Sequence, residues 1–124
     1  MDKSKPRVEE KKAALVRDFK RIRTAIFEGA NNLEPKWHNT LFLGSWSVID
    51  LFAHLQGWDV ANSEAIDRIF NGEIPEFYAY YDTDWRRYNS ILVERYRRDD
   101  FASLMVGVVK SHHLLIEKIR SLSY

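Results

Sequence analysis

The sequence predicts an all-α protein, a helical bundle, on three observations. Apolar residues recur at steps of three and four in each long segment, the spacing of one helix face. The segments are opened by helix-capping residues and separated by Pro, Gly and Asn. With 124 residues, 45% of them hydrophobic, the chain is long enough for one core and too short for two, so residues 1–124 read as a single domain.

The first helix is expected from about residue 6 to about residue 28, ending near Gly29. Its expected buried stripe is Val8, Leu15, Phe19, Ile22 and Ile26, at steps of seven, four, three and four. Ala30 to Gly44, with Asn31-Asn32, Pro35 and Gly44, predicts a connecting loop that forms the lip of a pocket, in which His38, beside Trp37, reads as exposed. The second helix is expected from Ser47 to about Phe70, with Val48, Leu51, Leu55, Ile66 and Ile69 buried. Ser47 and Asp50 form a capping box in which the shorter acid replaces Glu, and Asn71-Gly72 is the stop.

Between Gly72 and Asp84, Pro75 and the rings of Phe77, Tyr78, Tyr80 and Tyr81 predict a loop that covers an apolar surface or presents a stacking one. A third helical unit follows in two pieces. Trp85, Tyr88, Leu92 and Tyr96 mark the first, with Trp85 and Tyr88 expected in the core. Asp99-Asp100 interrupts it and offers an N-cap, and the second piece runs from Phe101 to about Leu122. There Phe101, Met105, Val108, His112, Leu115, Ile119 and Leu122 alternate steps of four and three, so His112 is expected in the seam. The seam is still apolar at Leu122, and Tyr124 follows without a glycine cap or a polar tail. The expectation is a bundle whose last helix lies beyond Tyr124. Without that helix, an uncovered groove is expected that a second copy would bury, giving a homodimer.

Asp50, His54 and Trp58 are spaced four apart, so they drift only about 40° per step and stack along one helix line. His54 reads either as a metal ligand whose second nitrogen Asp50 holds, or as a buried histidine bonded to Asp50 for packing. His54 and His112 offer two imidazoles on facing seams, whereas a catalytic zinc-type site wants about three protein ligands and an open position. His113 and Glu117 lie off the stripe and read as surface residues, Glu117 pairing with a neighbouring Lys or Arg. Trp46, Trp58, Trp85, Tyr88 and the 77–81 rings would line either a cavity for a planar or lipophilic ligand or an aromatic core. Asp50, Asp59 and Asn89 would orient that ligand, with Trp58 and Asp59 at the rim.

Composition excludes several classes. A net charge of +1, with 30% charged residues of interspersed sign, argues against nucleic-acid and membrane partners. The Arg86-Arg87 and Arg95-Tyr-Arg-Arg98 runs therefore read as solvated helix faces. The absence of cysteine excludes disulfides and thiolate metal sites, and the first residues lack the apolar run of a signal peptide; a soluble cytoplasmic protein is expected. No Gly-x-Ser-x-Gly elbow, phosphate loop, Rossmann glycine pattern or His-Glu-x-x-His is present.

Two strings carry a resemblance. Trp46-Ser-Val-x-Asp-Leu-x-Ala-His-Leu-x-x-Trp-Asp59 resembles the second helix of the DinB/YfiT-like superfamily of four-helix bundles, and more closely its DfsB/ClbS-like branch. Asp84-Trp-Arg-Arg-Tyr-Asn89, followed by Glu94-Arg95, resembles the run that opens that branch's third helix. Together they cover most of residues 41 to 122. The resemblance implies a DinB-like up-and-down four-helix bundle, here lacking the last helix, with His54 as one of three imidazoles on a divalent metal such as nickel or zinc. The other two would come from a His-x-x-x-His pair on the last helix. This chain does not contain that pair, and His112-His113 do not match its spacing. The superfamily's activities imply a metal-dependent thiol transferase or a hydrolase adding water to a strained ring, with Asp50 or Asp59 orienting the water. The expected function is binding of a small, electrophilic or aromatic molecule in a pocket lined by His54, Asp50, Trp58 and Asp59. The competing expectation is a non-enzymatic bundle that homodimerises or holds a partner helix.

Overall fold

Local signals set the start and stop of the second helix and the start of the last one as expected from the sequence. In a computed structural model describing residues 4–38, 40, 46–76 and 85–122, Ser47 Oγ accepts from the Asp50 N–H, and Asp50 accepts in return from the Ser47 N–H. Two of the orphan N–H groups of a helix start are thereby satisfied. Asp100 accepts from the Ala102 N–H, and Gly72 takes the positive φ of 75° that ends a helix. The result is an all-α bundle of four helices among the described residues: α1 (Ser4–Asn31), α2 (Val48–Phe70), α3 (Trp85–Tyr96) and α4 (Phe101–Ser121). A short 3-10 turn at Pro35–Trp37 lies between α1 and α2, and no strand is present among the described residues. The expected aromatic loop at Phe77 to Tyr81, and Gly44, lie outside the described residues.

The expected break at Asp99-Asp100 is a full reversal. Arg97, just past the end of α3, bonds Asp50 at the start of α2, and Asn89 accepts from Trp58 Nε1 at 2.7 Å, so α3 runs antiparallel to α2. Ser111 bonds Asp59, and Lys118 bonds Asp67 and the Ser63 carbonyl, so α4 runs parallel to α2. α1 is antiparallel to both: Lys12 reaches the Arg120 and Leu122 carbonyls, Arg23 reaches Asp59, and Phe27 stacks on Phe52. What reads in sequence as one broken third helix is two neighbours of opposite direction, and they complete an up-down-up-down arrangement around α2.

The core is Ile49, Phe52, Ala53, Val93, Leu104 and Val108, with Ala30 and Val48 at its α1 end. Each large side chain buried there contributes about 1.5–3 kcal/mol. α3 lies close against α2 because Ala53, Gly57 and Ala61 make a stripe of small residues. A Cβ on Gly57 would stand 2.7 Å from Leu92 Cβ.

Several faces are rotated from the sequence expectation. On α1 the buried line is Val16, Arg23 and Ala30, while Leu15 and Ile22 are 53% and 54% exposed. The cause is Arg23, whose guanidinium turns inward to Asp59. α1 also continues through Gly29 to Asn31, since Ala30 is buried in the core and that contact holds the last turn. Leu51 and Leu55 are half-buried and Ile69 exposed, while Ile49 and Phe52 occupy the centre. On α4 the buried line is Leu104, Val108, Ser111, Leu115 and Ile116, which leaves His112 half-buried at its edge. His38 is not an exposed loop residue. It is buried, its ring stacks on Phe101 at 3.9 Å, and its carbonyl accepts from the Ile49 N–H, bridging the loop to the start of α2.

Candidate functional site

The α2 column begins with Asp50, whose carboxylate is fully engaged. It accepts from the Ser47 N–H and hydroxyl, and from the Arg97 guanidinium. Asp50 is therefore committed to the helix cap and to tying the end of α3 to α2, and it does not hold His54. Arg97 is accordingly not a purely solvated residue of its arginine run.

One turn on, His54 is half-buried between two indoles, with ring centroids 4.9 Å from Trp46 and 6.5 Å from Trp58. Its Nδ1 is buried and has no hydrogen-bond partner among the described residues. Burial lowers its pKa from the usual 6.5, so the ring is neutral at pH 7. Trp58 continues the ring series onto α3, lying 5.3 Å from Tyr88 and 5.8 Å from Trp85. Its indole N–H is fixed by Asn89. Tyr88 is in the core as expected, whereas Trp85 is 38% exposed and forms the open end of the series. Trp46, His54, Trp58, Trp85 and Asn89 thus come together on one flank of α2.

Asp59 and His112 lie elsewhere. Asp59 is no rim residue: it is buried, with Arg23 donating to it through both terminal nitrogens at 2.8 and 2.9 Å and Ser111 Oγ at 2.9 Å. This fork-to-fork pair, with Ser111, gives both carboxylate oxygens a donor. His112 stacks on Phe19 of α1, with centroids 5.3 Å apart and planes 14° from parallel. Burial first, and then the Arg23 charge, lower its pKa, and its Nδ1 also lacks a partner among the described residues. The two imidazoles therefore face different neighbours, and no group of three His, Asp or Glu with metal-binding geometry is present among the described residues. His113 is exposed, and Glu117 pairs with Arg120 at 3.0 Å.

Arg23, Ser111 and Arg97 are the residues that sequence reasoning missed. Arg23 carried one signal: a charge four residues after Phe19 and seven after Val16, on the helix line of those two apolar residues. Ser111 and Arg97 carried none. No described helix is long and apolar enough to cross a membrane. No family model, no curated protein and no solved structure matches the chain.

Proposed function

We propose that this protein binds a small planar or lipophilic electrophile against Trp46, His54, Trp58 and Trp85, with Asn89 as the orienting polar group that touches the rings. The observation that carries this reading is His54: a neutral ring between two indoles, on a partly open face, whose buried Nδ1 meets no hydrogen-bond partner among the described residues. A histidine kept only for packing normally has its buried nitrogen satisfied, and leaving it unpaired costs about 1–3 kcal/mol. A neutral imidazole can accept a proton from water as the water oxygen adds to a strained ring, the opened ring taking up a proton in turn, which is hydrolase chemistry. The resemblance to the DfsB/ClbS-like branch supports the same substrate class. That resemblance also implies a nickel or zinc ion, but the described residues supply this face with one imidazole, short of the usual three ligands, so no step is assigned to a metal.

The test uses styrene oxide as the probe. Three of the four tryptophans flank the proposed site, so binding should change tryptophan emission saturably, and diol formation should fall about tenfold or more in His54→Gln. Emission that does not saturate, or a His54→Gln protein as active as the parent, would overturn the reading. Elemental analysis of the purified protein and of His54→Ala addresses the metal: nickel or zinc lost on substitution would make His54 a ligand. A second reading, a homodimer, is favoured by the outward Val106, Val109 and Leu114 of α4, each about half exposed or more. Sedimentation equilibrium showing a monomer at micromolar concentration would remove it.

A further inference from the structure

Between α1 and α2, away from the Trp46–His54–Trp58 rings, lies a cleft of about 220 Å³ lined by Phe19, Ile22, Arg23, Ile26 and Leu55. Its walls are apolar, and its one charged lining residue, Arg23, is itself 95% buried (5% exposed). The guanidinium spends one N–H of each terminal nitrogen on Asp59, and no further acceptor meets it among the described residues. A guanidinium has five N–H donors, so it keeps donors in reserve. Asp59 does not depend on Arg23 alone, because Ser111 also donates to it. The Phe19 wall is held from behind by His112 and lies 5.6 Å from the Arg23 guanidinium carbon. The cleft is thus a small apolar slot whose one charged wall residue is a guanidinium fixed by Asp59, with three N–H groups that meet no acceptor among the described residues. A planar anion with a short hydrocarbon body matches it in both respects, since carboxylates pair with guanidinium in a fixed plane and the walls reward apolar contact.

We propose that this cleft binds a small apolar monocarboxylate, branched or aromatic, its carboxylate on the unspent donors of Arg23 and its hydrocarbon between Phe19, Ile22, Ile26 and Leu55. It uses none of the residues of the proposed electrophile site, so either can fail alone. Benzoate is the probe, followed by amide and arginine Nε chemical shifts in the full chain. Saturable shifts centred on residues 19–26 and on Leu55 are expected, with benzamide, of the same shape but uncharged, binding about tenfold more weakly. Ile22 is exposed at the rim, so Ile22→Glu should fold normally and weaken benzoate about tenfold by repulsion, while Ile22→Gln should not. Benzamide binding as well as benzoate, indifference to Ile22→Glu, shifts centred elsewhere, or no saturation at all would each overturn the proposal.

Discussion

Breaking the Arg23–Asp59 pair from one side should be among the most damaging changes to this fold. The two side chains are only 6% and 3% exposed and meet through two bonds of 2.8 and 2.9 Å, so neither can be rehydrated when the other is removed. Among the described residues, Arg23→Met leaves a buried carboxylate with only the Ser111 hydroxyl, and Asp59→Leu leaves a buried guanidinium with no acceptor. Each should cost about 3–5 kcal/mol. Replacing both together, Arg23→Met with Asp59→Leu, removes the stranded charge and puts apolar volume in its place. The double variant should return close to the parent's stability, or exceed it by about 1–4 kcal/mol. Urea unfolding followed by far-ultraviolet circular dichroism gives all four corners of the cycle, with an unchanged m value as the check that two states suffice. Single variants that lose under about 1 kcal/mol, or a double variant that loses the sum of the singles, would refute the reasoning, because they would mean that water already reaches this charge pair.

Two further outcomes are expected. The pKa values of His54 and His112 are both lowered from 6.5 by burial, so the unfolded chain binds protons more readily than the folded one. Stability should be full above about pH 6.5 and decline as pH falls below it toward the lowered values, by at most about 1.4 kcal/mol per pH unit for each ring. Melting curves should show that decline, and His54→Phe or His112→Phe should flatten it; a drop unchanged in both variants would show that other groups cause it. Asp100, whose carboxyl is lowered chiefly by the Ser103 hydroxyl, acts only at more acid pH. The other outcome concerns glycines. Gly57→Ala should cost about 1–3 kcal/mol because its Cβ meets Leu92 Cβ across the α2–α3 contact. Gly107→Ala meets only the end of the Gln56 side chain, which can move aside, and should be neutral or gain a few tenths of a kcal/mol in chemical denaturation.

Most of the helical plan was legible because helix starts and stops are local. Ser47 with Asp50, Asp100 with Ala102, and Asn71-Gly72 act within three residues of themselves, and each does in the structure what its type suggests. Face assignment was weaker. Successive residues on a helix stand about 100° apart, so shifting a stripe by one position rotates the buried side by more than a quarter turn. Hydrophobicity favours Leu15 and Ile22 for the buried side, yet Val16 and Arg23 face inward, one position later along α1. Likewise Asp50 and His54 share a helix line, as spacing required, but Arg97 claims the carboxylate before the imidazole can.

The amino-acid order by itself determined an all-helical chain, where α2 begins and ends and where α4 begins, and that an imidazole stands in line with an acid and an indole. Only tertiary contact decided that the chain reverses after Tyr96, that His38 is drawn under Phe101, and that Arg23 joins Asp59 across 36 residues to turn α1. The physical reason is range. Capping and backbone stop signals are settled among neighbours, whereas the direction a face turns depends on which distant charge or ring would otherwise be left buried without a partner.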